Sequence, residues 1–359
     1  MNLQIVIGII AIPVMFLVLI GSHEGGHFLL SKLFRIRVIE FSIGMGTALW
    51  SRRRGGTKYA FRGIPIGGYV RLGGMEPSGP DNPDGYDDPH GFHHKPAYQR
   101  LLVLVAGPFA NFVLASVIMT ALLLTQVNDK TTITEVVPGS PAAQQQLQPG
   151  DGILTVNGVH PTRTDQLREI VNGSNGAPVH LVVRHRNGAT QEYTVAPMHD
   201  DKQNVYLIGV RATPIVTLQQ ALIGGVTFPY DAAVAEVLGM HDLITGRIPG
   251  GVLGPQGATG PIGIATITFE AALQGITQWL FVTAALSVAL GLANLLPIPA
   301  LDGGRILVVL LEKLQGHGFD REREMQVQRA GLVALLALIA LISYFDIHRL
   351  ATGQFPGFK

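Results

Sequence analysis

Residues 21–30 read GSHEGGHFLL and follow twenty residues that contain no Asp, Glu, Lys or Arg. An apolar run of about 20 residues is long enough to cross the hydrocarbon core of a bilayer as a helix. The stretch therefore puts His23, Glu24 and His27 at the end of a membrane helix. An ionisable side chain at membrane depth costs about 2.5–3.5 kcal/mol on insertion scales, so three within five residues indicate a function. The alternative is that they only mark the interfacial end of the helix.

The composition favours a membrane protein. Of the 359 residues, 47% are hydrophobic and only 14% are charged, whereas soluble domains contain about 25% charged residues. The formal net charge of +1 gives no argument for binding nucleic acid. The chain has no cysteine, which excludes disulfides and thiolate ligands, so any metal site must use His, Asp or Glu.

Four charge-free apolar stretches predict about four transmembrane helices. These stretches are residues 1–21, 101–127, 271–301 and 330–345. The first could instead be a cleaved signal peptide, but no basic residue precedes its apolar run and no small-residue cleavage site stands out.

The distribution of Lys and Arg predicts the orientation of these spans. Residues 28–100 contain eleven basic residues, whereas residues 128–270 contain eight over about twice the length. Five more lie between the third and fourth spans: Arg305, Lys313, Arg321, Arg323 and Arg329. Because basic residues are enriched in cytoplasmic loops, we expect the first and third loops in the cytoplasm. The second loop and both termini are then outside.

Residues 36–74 contain short apolar and aromatic runs separated by glycine-rich turns, a pattern typical of a hairpin. Strands at 38–43 and 59–66, directly after a membrane helix, predict β-structure that re-enters the membrane. Such backbone is tolerated at that depth only where protein or a wet cavity surrounds it. The Pro-, Gly- and Asp-rich residues 75–97 predict a loop.

Residues 129–212 have the composition of a small soluble domain, and SPAAQQQLQPGDGILTVNG at 140–158 resembles the bacterial type of PDZ domain. The resemblance implies peptide recognition by strand addition beside a helix that begins at Thr164. A structural module that merely blocks access is the alternative. Residues 217–245 predict an amphipathic helix, either at the membrane interface or packed under the soluble domain. A Gly/Pro-rich connector follows it.

The spacing of His23, Glu24 and His27 carries the chemistry. Residues four apart lie on one face of a helix, so both imidazoles can bind one cation, and Glu24 lies beside the metal as a general base. A catalytic zinc usually takes a third protein ligand from a distant segment. Asp302 is the candidate, because it is the first acid after 31 residues without charge, and Pro297 and Pro299 interrupt the helix before it.

HEGGH, GPFAN at 107–111, NLLPIPALDGG at 294–304 and the PDZ-like insert together resemble the site-2 protease family of intramembrane zinc metalloproteases, in its bacterial branch with one PDZ domain. The resemblance implies Zn²⁺ held by His23, His27 and Asp302, with Glu24 as the catalytic base. It also implies that the substrate contacts Asn294, a polar lining that includes Asn111, and the re-entrant hairpin at Gly67 and Gly68.

One departure from the family pattern is that Gly25 and Gly26 occupy both middle positions of the HExxH motif. Relatives often carry at least one larger apolar residue there. Each glycine weakens a helix by roughly 1 kcal/mol relative to alanine, which reduces the expected rigidity of this turn.

The resemblance further implies a multi-pass protein of the bacterial inner membrane, with the active site towards the cytoplasm and the PDZ domain extracytoplasmic. Its substrates would be single-pass membrane proteins, namely pre-trimmed anti-sigma factors and remnant signal peptides, and the PDZ domain would read new peptide termini or filter by size. The predicted domains are 1–128, 129–212, 213–270 and 271–359. A catalytically silent PDZ scaffold and a metal transporter are the alternatives.

Overall fold

The computed structural model divides into two compact units. Unit 1 comprises Met1–Met119 and Thr227–Lys359, and unit 2 comprises Thr120–Val226. The residues that the structure describes are 3–80, 82–127, 131–161, 164–201, 204–213, 216–249, 251, 254 and 257–354. The predicted domain boundary at 128/129 lies outside these residues, as does part of the predicted Gly/Pro-rich connector.

The chain begins with α1 (Leu3–Leu33), β1 (Val38–Arg54), β2 (Thr57–Leu72) and α2 (Ala97–Leu124). Then come β3 (Thr131–Val136), α3 (Pro141–Gln144), β4 (Gly152–Val156), α4 (Thr164–Gly173), β5 (Val179–Arg184), β6 (Thr190–Val195), β7 (Met198–Asp200), β8 (Val205–Leu207) and β9 (Val210–Ala212). The last elements are α5 (Leu218–Ile244), α6 (Pro261–Gln274), α7 (Ile276–Leu295), α8 (Asp302–Gln315) and α9 (Arg321–Ala351).

Among the described residues, five helices are long and apolar enough to cross a membrane, one more than predicted. They are α1, α2, α5, α7 and α9. The additional one is α5, for which apolar and polar residues at helical spacing predict an amphipathic helix, either interfacial or packed under the soluble domain. The predicted third span, 271–301, is divided at Gly275, whose φ of 126° ends α6 before α7 begins. Two helices, α6 and α7, therefore take the place of one continuous span.

Strands β1 and β2 contain the predicted strands 38–43 and 59–66 but form a more complex sheet than a simple hairpin. Residues 38–43 pair with 57–61 on one side and with 68–72 on the other. Residues 50–54 pair with the other edge of 57–61. The result is a small sheet in the order 50–54, 57–61, 38–43, 68–72, which we call the folded hairpin. The register of its inner pair, 57–61 and 38–43, is parallel, and the two outer pairs are antiparallel. Within the described residues, its 68–72 segment keeps one edge without a strand partner.

Buried Glu40 holds three segments of the folded hairpin together. Its carboxylate accepts hydrogen bonds from Arg62 Nη2 at 2.5 Å and Tyr69 Oη at 3.1 Å, and Lys58 Nζ lies at 3.6 Å. Burial raises the pKa of Glu40, but the hydrogen bonds from Arg62 and Tyr69 outweigh it, so the pKa falls below its ordinary value. Glu40 is therefore the ionised centre of this sheet.

Unit 2 contains a five-stranded antiparallel sheet in the order β6-β5-β4-β3-β9 over a core of aliphatic side chains. The predicted helix start is confirmed, because the Ser140 hydroxyl accepts from the Ala143 amide at 3.3 Å and caps α3. Strand β4 has the predicted bounds, and α4 begins at the predicted Thr164. The secondary structure predicted for residues 140–195 is therefore largely present.

In unit 1, a buried carboxylate joins α9 to the start of α6. Asp346 Oδ2 accepts hydrogen bonds at 2.9 Å from the amides of Gly260 and Gly263, where a helix N-terminus leaves donors without partners. Arg349, also buried, donates to the Ala258 carbonyl at 3.1 Å and lies 3.6 Å from Asp346 Oδ1. A side chain from the last helix thus caps a helix some 85 residues earlier in the chain.

We predict that Asp346→Ala destabilises the protein by about 3 kcal/mol, because it leaves buried Arg349 without a counter-ion and two helix-terminal amides without their acceptor. The measurement is label-free thermal unfolding in detergent. Asp231→Ala, which removes an exposed carboxylate from α5, is the control and should leave the midpoint unchanged. Equal midpoints for wild type and Asp346→Ala would contradict this account of the α6 cap.

Candidate metal centre

A continuous helix and the interrupted segment between α7 and α8 bring three candidate ligands together. His23 and His27 lie one turn apart on α1, and both are buried. Helix α7 ends at Leu295, residues 296–301 form an irregular connection that contains Pro297 and Pro299, and Asp302 is the first residue of α8. Because the prolines interrupt the helix, Asp302 stands at the N-terminus of a new helix, α8. Its carboxylate there contacts the two histidines of α1.

The three ligand atoms form a nearly equilateral triangle. Asp302 Oδ2 lies 3.0 Å from His23 Nε2 and 3.2 Å from His27 Nε2, and the two Nε2 atoms are 3.2 Å apart. Among the described residues, this is the one group of three or more His, Asp and Glu side chains that could hold a metal ion. The sequence-predicted trio is therefore brought together.

The triangle fits a zinc ion by size. Ligand atoms about 2.0–2.1 Å from zinc at tetrahedral corners stand roughly 3.3 Å apart, close to the distances found here. It also fits by chemistry. A carboxylate oxygen only accepts, and two unprotonated imidazole nitrogens only accept, so these atoms need a positive charge between them.

Helix α2 sets the tautomer of His27. The His27 Nδ1 atom lies 2.8 Å from the Val103 carbonyl oxygen of α2. A carbonyl oxygen can only accept, so Nδ1 carries the hydrogen. The Nε2 lone pair is then directed at His23 and Asp302. A backbone acceptor opposite the non-ligating nitrogen is the usual support of a metal-binding histidine.

The corresponding contact of His23 is with Asn111, which is fully buried. The Asn111 amide nitrogen lies 3.3 Å from His23 Nδ1, while Asn111 Oδ1 has no hydrogen-bond partner among the described residues. The two amide atoms are exchanged by a 180° rotation, and the network decides between them. With the oxygen facing Nδ1, Asn111 accepts from His23, and the Nε2 lone pair becomes available for a cation.

Small residues allow α1 and α2 to approach each other at this point. A Cβ on Gly107 would overlap the His27 imidazole, and a Cβ on Gly26 would overlap the Ala106 carbonyl. A Cβ on Gly25 would meet nothing within 4 Å. Of the two glycines inside HEGGH, only Gly26 is therefore required by packing.

A cavity of about 500 Å³ opens beside the triangle. His23, Glu24, His27, Asn294 and Asp302 all line it, together with Tyr69–Leu72 of the folded hairpin. Asn294 donates one amide hydrogen to the Leu290 carbonyl of its own helix at 2.9 Å. The remaining amide hydrogen is available to a ligand.

Three predicted site residues do not line this cavity. Asn111 lies behind His23, as described above. Gly68 packs beside the cavity wall, where a Cβ would stand 3.4 Å from Glu24 Cγ and 2.9 Å from the Ser42 carbonyl oxygen. Gly67 has a φ of 91°, a left-handed conformation that favours glycine. A Cβ at this position would stand 3.0 Å from the Met45 side chain.

The sequence interpretation missed a buried ion-pair network that fixes α8. Glu312 of α8 accepts from Arg100 of α2 at 2.5 Å and from Arg321 at 2.8 Å. Burial raises the Glu312 pKa, but the hydrogen bonds from Arg100 and the Phe319 amide lower it below its ordinary value. An isolated acid in the apolar face of α8 was the signal that could have identified it. His93 and His94 lie in a short 3₁₀ helix and are not part of the triangle.

Comparison with known proteins identifies related sequences over almost the whole chain. Residues 11–338 match the model of peptidase family M50. The zinc metalloprotease RasP of Geobacillus kaustophilus is 29% identical, over 95% of this chain and 98% of its own length. The regulator of sigma-W protease RasP of Bacillus subtilis is 27% identical, over 95% and 98%.

A solved structure is similar to a part of the chain. The PDZ domain of the SdrC-like protein from Listeria monocytogenes is 19% identical and covers 24% of this chain and 90% of its own, with a TM-score of 0.23. A likeness at this level carries no argument for peptide binding.

We predict opposite effects of alanine at the two adjacent glycines of HEGGH. Gly26→Ala should destabilise the protein by about 1–3 kcal/mol, since the methyl group forces α1 away from α2. Gly25→Ala should stabilise it by about 0.5–1 kcal/mol through helix propensity. Thermal unfolding of both variants against wild type is the measurement, and each variant is the matched control for the other. Equal effects would mean that the close approach of Gly26 to Ala106 is not as described.

Proposed function

The chain belongs to peptidase family M50, the site-2 proteases, and on that basis we propose that it hydrolyses a peptide bond within or near the transmembrane segment of single-pass membrane proteins. It is a zinc metalloprotease and a multi-pass membrane protein. We assign the zinc ligands to His23, His27 and Asp302. The observation that carries this assignment is the triangle of acceptor atoms at 3.0–3.2 Å.

Bound zinc would supply a Lewis acid that polarises the scissile carbonyl and acidifies the attacking water. Glu24 follows His23 by one residue, which turns its side chain beside the ligand atoms instead of towards them. Its carboxylate lines the same cavity. We assign it to take the proton from the attacking water and to return it to the leaving amine nitrogen.

Asn294 is suited to hold the substrate backbone. It lines the cavity with Glu24, and its bond to the Leu290 carbonyl fixes the amide plane and leaves one N–H free. A neutral, pre-oriented donor of this kind stabilises the negative charge that develops on the carbonyl oxygen of the scissile bond.

The folded hairpin supports a mode of substrate binding. A peptide bond within a helix is already hydrogen-bonded and shielded, so the substrate must be extended before it is cut. The 68–72 segment has an edge without a strand partner among the described residues, and Tyr69–Leu72 line the cavity. An extended substrate can add to this edge as a further strand. Gly68 allows the segment to lie close to Glu24.

The substrates that we propose are pre-trimmed anti-sigma factors and remnant signal peptides. The relative from Bacillus subtilis is named regulator of sigma-W protease, which favours the first class. We propose that residues 129–212 act as an extracytoplasmic PDZ domain that reads new peptide termini or filters substrates by size. We further propose that the protein lies in the inner membrane of a bacterium, with the cavity open towards the cytoplasm.

We predict that Glu24→Gln lowers the rate of substrate cleavage by at least about 100-fold, because a neutral amide cannot accept the proton. Zinc per chain should remain that of wild type, since Glu24 is not a ligand. The measurements are cleavage of a tagged single-pass protein in proteoliposomes and elemental analysis. Glu76→Gln makes the same chemical change at another residue of the cavity wall and should stay active. A Glu24→Gln variant that kept both zinc and full rate would show that Glu24 is not the base.

We predict that Asn111→Leu weakens zinc binding by about 10–100-fold, the usual cost of losing a partner behind a metal-binding histidine. Asn111→Asp, which keeps an acceptor opposite His23 Nδ1, should restore it. Zinc affinity is measured by competition with a chelator. Ser287→Ala is the control, because the Ser287 hydroxyl donates to the Asn111 backbone carbonyl and does not involve the amide. If Asp at 111 failed to restore affinity, a role in packing alone would remain.

A further inference from the structure

A second cavity in unit 1, of about 570 Å³, lies at the end of α1 beside the tip of the folded hairpin. Its lining residues are Lys32, Trp50, Arg52, Arg54, Gly55 and Tyr59. None of these residues lines the cavity beside the metal centre. We call it the basic cavity.

The local structure explains why these side chains converge. Alternate residues of a strand point to the same face, so Trp50, Arg52 and Arg54 lie on one face of β1. Gly55 and Gly56, with φ of 57° and 79°, make the turn into β2. Lys32 belongs to the last turn of α1, and its ammonium donates to Thr57 Oγ1 at 2.6 Å. This hydrogen bond holds the end of α1 against the tip of the sheet.

The basic cavity contains three cations and no carboxylate. Elsewhere in the folded hairpin, basic side chains have acidic partners: Arg62 and Lys58 pair with Glu40, and Arg71 pairs with Glu76. Within the described residues, neither Arg52 nor Arg54 forms an ion pair. Converged like charges repel one another unless an anion joins them, so the arrangement favours a ligand with negative charge.

Apolar side chains around the basic cavity indicate that this anion belongs to a lipid. Leu29 and Leu33, on the same helix as Lys32, are 64% and 69% exposed. Trp50, also largely exposed, and Tyr59 are residue types that collect at the membrane–water interface. Cations that are flanked by lipid-facing leucines and interfacial aromatics lie at the depth of phospholipid headgroups.

We propose that the basic cavity binds the headgroup of an anionic phospholipid. Its phosphate would be held by the guanidinium groups of Arg52 and Arg54, whose paired donors match phosphate oxygens, and by Lys32. Trp50 would lie along the glycerol and upper acyl chain. This binding site goes beyond the proposed proteolysis. The general enrichment of Lys and Arg in cytoplasmic loops would account for the number of basic residues here, but it would not require their charges to meet in one cavity.

The chain offers a direct reporter, because it has only two tryptophans, Trp50 and Trp279. In the full-length Trp279→Phe variant, fluorescence comes from Trp50 alone. This protein is reconstituted into phosphatidylcholine vesicles that contain increasing fractions of brominated phosphatidylglycerol or, separately, brominated phosphatidylcholine. We expect quenching to saturate at a much lower fraction of the anionic lipid.

The test of the named residues is Arg52→Gln with Arg54→Gln in the same background. Each arginine near an anionic surface is worth about fivefold in binding, so the pair should lose roughly 25-fold in apparent affinity for the anionic lipid. Arg323→Gln with Arg329→Gln removes the same charge from exposed positions in α9 and should retain the affinity. Unchanged thermal unfolding confirms that each variant is folded.

Three results would overturn the proposal. Equal quenching by both brominated lipids would mean that the basic cavity does not select anionic headgroups. Equal losses in the two double variants would mean that binding follows overall charge. Competition by millimolar inorganic phosphate, with no selectivity between the lipids, would identify a site for a small soluble anion instead.

Discussion

The structure depends on the positive charge that His23, His27 and Asp302 require between them. Three acceptor atoms lie within 3.2 Å of one another in a largely buried site. Without a cation their lone pairs would repel, and the carboxylate would be desolvated without compensation. A positive charge between these atoms, either a proton on an imidazole or a bound metal ion, removes this repulsion. Among metal ions, zinc matches both the distances and the ligand types.

Helix α2 supplies no ligand, yet it determines how the ligands are presented. The Val103 carbonyl fixes the tautomer of His27, Gly107 leaves room for its ring, and Asn111 lies behind His23. Arg100, at the start of the same helix, binds Glu312 and so positions α8. Because α2 contacts the helices on both sides of the site, the geometry of the triangle follows from helix packing as much as from the HExxH motif.

The three candidate ligands could be predicted from the sequence because their positions follow from local rules. A spacing of four residues determines one helix face, and an acid after a long charge-free run stands out in composition. The Val103 carbonyl could not be predicted, since backbone acceptors have no sequence signature. Gly25 and Gly26 are identical in sequence, and only packing against Ala106 distinguishes them. The double pairing of 38–43 likewise depends on tertiary contacts.

The folded hairpin connects the two ends of the proposed chemistry. Its four segments place 50–54, with Arg52 and Arg54, at one edge and 68–72, which lines the cavity beside the metal centre, at the other. Neighbouring strands are about 4.8 Å apart, so three intervals separate these edges by roughly 14 Å. Glu40 joins three of the four segments through its contacts with Lys58, Arg62 and Tyr69. A headgroup held at the outer edge would therefore fix the height of the substrate-binding edge relative to the lipid surface, and with it the depth at which the peptide is cut.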